Sequence, residues 1–371
     1  MKKKTICELL PALLVIGAAI LISSCSPGFG VFSEIQTEKA QEGTDIFKDA
    51  TVRALGEDGT NYYAVMGKVF YRPKIGGSWK VLAVNGDSDY FCGGFASDGT
   101  SIYVAALDNG NTALKGIYQG TVGGTAWSAV IDASALGTDT FDTLFLAGTE
   151  LFALTHSASA PAYNLYHSSG LAAFASTGLS ALADPVLGVK NAGAAFWALT
   201  GSKAYTGTAA ALTTESTPGS GKTFGGIALD TANKILVTTT DGFLYTNTAG
   251  SWSGAAEVDS GVSLGTLIEV PVSANAAAPY RLVIAKNDSS YGYFEYDAAT
   301  PATVIGNDAG AIFAQTSSSY TTTVHQKPVQ AIHYSSTEKT MLIGLSAQGT
   351  STYALYSNKY ESGAWSGWEA Q

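Results

Sequence analysis

Charge is scarce in this chain. Only 13% of its 371 residues are charged, against roughly 25% in ordinary soluble domains. Three of them are arginines, Arg53, Arg72 and Arg281, and the balance is acidic, with 20 basic and 30 acidic residues and a net charge of −10. A phosphate backbone demands a clustered cationic face, so nucleic acid is excluded as a partner and anionic head groups are disfavoured. Cysteine is scarcer still, at three residues, Cys7, Cys25 and Cys92. The four histidines, His156, His167, His325 and His333, are widely spaced, so no metal site is expected, and no cofactor. No stretch beyond residue 50 has the 3.6-residue apolar period of a long amphipathic helix, which leaves an all-β fold. Catalytic motifs are missing too. No G-x-S-x-G nucleophile turn is evident, and Pro218-Gly-Ser-Gly-Lys-Thr223 ends like a phosphate loop but has Ser216 in place of the first glycine and no helix after it.

What is there begins with an export signal. Lys2, Lys3 and Lys4 precede an apolar run from Leu9 to Leu21, and Ile22-Ser23-Ser24-Cys25 follows. Thirteen apolar residues are short for a membrane span, which needs roughly 20, so the segment reads as a cleaved signal. Small residues before a cysteine resemble a bacterial lipobox, with Ile22 where leucine is commoner and Glu8 unusually close to the apolar run. The resemblance implies a diacylglycerol thioether on Cys25 and cleavage before it. The expected organisation is a signal over 1–24, a lipidated tether over 25–50 and a folded domain over 51–371. Loss of the signal removes three lysines and one glutamate and takes the net charge to −12. Cys92 then remains as the domain's single thiol, so the fold stands without an internal disulfide.

The domain carries an internal repeat. A hydrophobic residue, a tyrosine and a polar residue recur at Tyr71, Tyr118, Tyr166, Tyr205, Tyr245, Tyr296 and Tyr356, at spacings of 47, 48, 39, 40, 51 and 60 residues. At Tyr296 the leading residue is Glu295 instead. A period of 40 to 50 residues filled with strand formers marks a β-propeller, one repeat being one four-stranded antiparallel blade. Before each tyrosine lies a run apolar on both faces, such as Tyr62-Tyr63-Ala64-Val65 and Leu282-Val283-Ile284-Ala285, as expected of a second strand sandwiched between neighbouring blades. After it comes a turn and a large residue: Trp79, Trp127, Phe174, Leu212, Trp252, Val304 and Trp365. The turns GGSW, GGTAW, AGSW and SGAW resemble degenerate Asp-box repeats of sialidase-like propellers, without the defining aspartate; these aromatics are expected to pack between blades.

Seven blades follow, over 51–84, 91–131, 141–177, 185–217, 224–258, 264–305 and 329–371. With strands a to d running from the axis outward in each, closure is expected by face packing of the first blade on the last, or by a strand from Val31 to Ile35. The loops between strands d and a and between b and c share one side. They hold Asp87, Asp89, Asp108, Asp132, Asp139, Asp142, Asp184, Asp241, Asp259, Asp288 and Asp308. Arg53, Lys190, Glu269 and His333 fall on inner strands and are expected to line the channel. The insertion Gly306 to Pro328 reads as a dispensable surface loop that adds to a docking face.

The sequence therefore implies a monomeric envelope lipoprotein. Its membrane attachment is the N-terminal lipid, its place is the bacterial cell envelope at the outer membrane, and its propeller is a scaffold for a protein or glycan partner. No catalytic, cofactor or metal residue is assigned, and Cys25 is the one modified site. A sialidase-like carbohydrate-active enzyme and an outer-membrane assembly factor are the alternatives.

Overall fold

The computed structural model describes residues 44–371 except 111–112, 122–126, 130–131, 158–161, 274–279, 288–291, 298–303, 306–312, 314–323, 325–326 and 347–352. The signal, Cys25 and the Val31 to Ile35 segment lie outside the described residues, as do Asp288 and Asp308. The described part belongs to one compact unit, Glu42–Gln371.

Seven antiparallel sheets make up this unit, each of four consecutive strands in sequential order, spanning 54–81, 91–129, 140–176, 186–215, 224–257, 264–305 and 329–370. The first strands of neighbouring sheets touch one another around a common axis, and the strand Ala54–Glu57 meets Val329–Ser335 to complete the circle. The fold is a seven-bladed β-propeller, phased a to d as the repeat implies. Blades five and seven add a short fifth strand, Ala256–Glu257 and Glu369–Ala370, each paired to its own strand c.

The sequence dictates this shape locally. In strand b of blade two, Ile102–Leu107, every residue is buried, and the same is true of Asn61–Val65, Ile235–Thr239 and Thr340–Leu345. Each fully buried aliphatic side chain contributes about 1.5 to 3 kcal/mol, and both faces of these strands are occupied by neighbouring blades. The a–b turns of blades one and two are set by aspartate. Asp58 Oδ1 accepts from the amides of Thr60 and Asn61 at 2.7 Å each, while Oδ2 accepts the Tyr63 hydroxyl. Asp98 repeats the pattern with Thr100, Ser101 and Tyr103. The shared D-G-T-x-x-Y phrase is thus an Asx turn tied to the strand it launches.

The repeated aromatics pack between blades. Trp252 of blade five donates its indole N–H to the Ser216 carbonyl of blade four at 3.0 Å and stands edge-on to Trp197, ring centres 5.6 Å apart. Trp365 of blade seven donates to the Val272 carbonyl of blade six at 3.0 Å. The strand-c tyrosines split into two groups. Tyr245, Tyr296 and Tyr356 are buried, whereas Tyr71, Tyr118, Tyr166 and Tyr205 are half-buried.

Closure uses more than face packing. Residues just before blade one run along blade seven: the Ala354 amide donates to the Phe47 carbonyl at 2.8 Å, the Val52 amide to the Leu345 carbonyl at 3.0 Å, and Lys48 bridges Tyr353. Phe47, in the stretch read as tether, is fully buried edge-on to Trp79 with centres 5.0 Å apart. At the other end Arg72 of blade one donates to the side chain of the terminal Gln371. Between them Glu57 receives the Lys74 ammonium at 2.8 Å and faces His333 of blade seven at 3.8 Å.

The insertion before blade seven contributes to the core through its described residues. Its Phe313 and Val324 are fully buried in the core shared by blades six and seven. Phe313 lies edge-on to Trp365, centres 4.8 Å apart, and its carbonyl accepts from Asn358 Nδ2 at 2.8 Å. Glu295 explains the exception in the tyrosine phrase. At 1% exposure it pairs with Arg281 at 2.9 Å and accepts the Phe313 amide at 2.8 Å. The expectation that 308–325 can be trimmed harmlessly is at odds with these two residues, because Phe313 and Val324 fill part of the core and the Phe313 amide satisfies a buried carboxylate.

Two outcomes follow. Phe313→Ala should destabilise the domain by about 3 to 5 kcal/mol, the range for a buried phenylalanine, read from chemical denaturation midpoints; a change below 1 kcal/mol contradicts a core role. The second concerns acid. Burial raises the Glu57 pKa, but the neighbouring His333, Lys74 and Ser335 side chains outweigh it and hold the carboxyl at about 2, below its ordinary 4.5. A depressed folded pKa stabilises above the unfolded value and fades as pH falls through the folded one. Glu57 therefore contributes on the order of 3 kcal/mol at neutral pH, lost between pH 4.5 and 2. Glu57→Gln should lower stability at pH 7 and flatten its fall over that window.

Candidate functional site

The inner strands share a defect at the end nearest the d–a loops. In blade two the ladder jumps between Cys92 and Gly94, in blade three it skips Asp142, in blade four it jumps between Val186 and Gly188, in blade five between Phe224 and Gly226, and in blade seven between Val329 and Ala331. Blade six has a wider break between Leu264 and Leu267. A bulge leaves one residue unpaired and re-aims its side chain. The residues thrown out are Gly93, Asp142, Leu187, Gly225 and Gln330, and on the innermost strand they surround the mouth of the channel. Leu187 and Gln330 are exposed between buried neighbours, and Leu187 is one of two large apolar residues exposed among those described. At Gly225 only glycine fits, since a Cβ there would stand 1.8 Å from the Leu264 carbonyl oxygen.

Blade one has Arg53 at the equivalent place, its amide donating to Val65 at 2.8 Å and its guanidinium lying 6.0 Å from the centre of the Phe91 ring. Arg53, Phe91, Gly93, Thr140 and Asp142 line a cavity of about 380 Å³ between blades one, two and three. The mouth thus carries a cation on one wall and a carboxylate on the other. Asp142 is oriented by His156 on the adjacent strand, whose Nδ1 lies 2.8 and 2.9 Å from the two carboxylate oxygens. Cys92 also lines the cavity, but it is no nucleophile: burial pushes its thiol up to about 12, and Sγ donates to the Gly94 carbonyl.

The other expected channel residues separate. Lys190 is half-buried, burial pushes its pKa down, and it has no partner among the described residues. Glu269 accepts the Thr231 amide of blade five at 2.7 Å, and His333 turns to Glu57 at the seam. The loop aspartates mostly hold their own loops. Asp132 caps a short 3-10 turn, Asp139 accepts from Asn164, Asp184 from Ser202, and Asp241 pairs with Lys222. Asp87 meets Lys115 at 3.1 Å, and Asp89 accepts from Asn109. The three arginines point to three places, with Arg53 at the mouth, Arg72 at the seam and Arg281 on Glu295. The described residues contain no group of three His, Cys, Asp or Glu side chains able to hold a metal.

No protein-family model and no curated protein matches the chain. Solved structures do. The WD40 propeller domain of Doa1 is similar at 10% identity and a TM-score of 0.51, over 83% of this chain and 93% of that one. YCF48 bound to D1 peptide is similar at 12% identity and a TM-score of 0.54, over 84% and 92%. The Niastella koreensis GH74 enzyme is similar at 13% identity and a TM-score of 0.58, over 89% of this chain and 55% of that one. These likenesses establish the fold.

Sequence reasoning placed Arg53 on an inner strand and Asp142 among the loop acids, yet missed that the two line one cavity, Asp142 by way of a bulge. A polar or glycine residue interrupting the apolar start of strand a was the available signal.

Proposed function

We propose that the protein is a lipid-anchored envelope scaffold whose channel mouth receives a peptide segment of a protein partner. The observation that carries this reading is the cavity of about 380 Å³ lined by Arg53, Phe91, Thr140 and Asp142, with the bulged residues Leu187 and Gln330 exposed at the same end of their own inner strands. A side chain of either sign finds a counter-charge there, main-chain amides find Gln330 and Thr140, and an apolar residue finds Leu187 and Phe91. Cavities of about 300 to 1,000 Å³ are the size of ordinary ligand sites. Similarity to a propeller that has a peptide bound supports the same choice. The arginines, spread over three unrelated places, favour binding over a sialidase-like reaction that needs them gathered on a substrate carboxylate.

Anchoring rests on the lipobox-like Ile22-Ser23-Ser24-Cys25. Stable attachment takes two or more acyl chains, each buried methylene adding about 0.8 kcal/mol.

The test has two readouts. Cys25→Ser should move the protein from the membrane pellet to the soluble envelope fraction, and persistence in the pellet after a high-salt wash refutes the anchor. Arg53→Glu with Leu187→Asp, in a variant with unchanged circular dichroism, should lower partner recovery from detergent-solubilised envelopes at least tenfold, worth about 1.4 kcal/mol. Undiminished recovery places binding elsewhere.

A further inference from the structure

A second cavity lies between blades four and five, toward the a–b and c–d turns and so toward the side opposite the channel mouth. Its volume is about 470 Å³. Room comes from small residues: Ala192 and Ala195 pair across one hairpin, and Ala249 and Gly250, both in the left-handed region at φ 52° and 90°, form the other. The floor is apolar and rigid. Trp197 and Ile235 are 5% and 1% exposed, and Trp252 braces Trp197 edge-on while its indole N–H is fixed to Ser216.

The rim is polar and carries both kinds of hydrogen-bonding group. Thr206, Thr214, Asn233 and Asn247 supply neutral donors and acceptors, and Glu215 supplies a carboxylate held in place by Lys203 at 2.8 Å. Asn247 is the informative member. It is 4% exposed, its Oδ1 accepts the Gly250 amide at 2.9 Å, and its Nδ2 is buried with no hydrogen-bond partner. A buried polar donor left unpaired is costly, and native structures nearly always satisfy it.

We propose that this cavity binds a neutral saccharide of one or two rings. Hydroxyls donate and accept at once, as the mixed rim requires, and a ring oxygen or hydroxyl answers Asn247 Nδ2. The C–H face of a pyranose fits the apolar lining that Ala192, Ala195 and Ala249 share with Trp197. An anionic ligand does not fit, because no lysine or arginine lines the cavity and Glu215 would repel it. The inference is independent of the channel-mouth reading, since it uses other residues in other blades.

The test titrates the whole domain with cellobiose, maltose and N,N′-diacetylchitobiose by calorimetry, with tryptophan fluorescence in parallel. At least one disaccharide should bind and perturb the fluorescence. Asn247→Asp keeps the acceptor toward Gly250 and removes the donor, and should weaken binding at least tenfold. Thr214→Phe, at an exposed rim position, should block the cavity and abolish it, and Arg53→Glu at the channel mouth should leave it unchanged. Failure of all three sugars to bind would mean that the cavity holds only water. Binding that survives both cavity variants, or preferential binding of acetyl-diglycine amide, would equally overturn the proposal.

Discussion

A ring of blades depends on the place where it is joined. Every internal boundary of this propeller is bridged by a covalent connection, whereas blades one and seven meet without one. The molecule concentrates there the contacts it lacks in covalent form. Main-chain bonds from Val52 and to Phe47, the buried Phe47 ring against Trp79, the terminal Gln371 against Arg72, and the Glu57, Lys74 and His333 group all lie on this seam. Cys92, the one cysteine among the described residues, is free and buried, so among those residues closure rests on packing, hydrogen bonds and ion pairing. The residues that close the ring lie just before blade one, so part of the stretch expected as a tether belongs to the fold.

The same economy governs charge. Glu295, Glu57 and the loop aspartates are largely committed to holding segments: an insertion in the first case, a seam in the second, turns in the rest. Among the described residues, the polar side chains set at the channel mouth are few, and most are placed by bulges. Regular pairing would bury alternate residues of strand a against neighbouring blades. Slipping the register by one residue near the mouth releases Asp142, Leu187 and Gln330 from that role at the cost of one ladder position each.

Much of the fold was legible in the sequence because its determinants are local. Blade limits such as 185–217 fall within two residues of the observed 186–215, since apolar runs and Asp-Gly turns act within a few positions. The functions of 306–328 and of Phe47 were not legible, because they depend on which distant side chains the curvature of the ring brings together. One clue was present: Glu295 in a column of otherwise hydrophobic residues must either be exposed or paired, and pairing required the insertion. Asp142 and His156 illustrate the other limit. They lie 14 residues apart on paired strands, but only the bulge between Leu154 and Thr155 turns them toward each other.

Native-state amide hydrogen exchange tests closure most directly. The amides of Val52 and Ala354 make the seam bonds, and Val104 and Leu199 are fully buried residues of central strands. If the ring is closed by residues 44–52, the seam amides exchange only through global opening and match the central ones in protection free energy. Exchange of Val52 and Ala354 a hundredfold or more faster than Val104 and Leu199, about 2.7 kcal/mol less protected, would show that the seam opens on its own and would contradict the account.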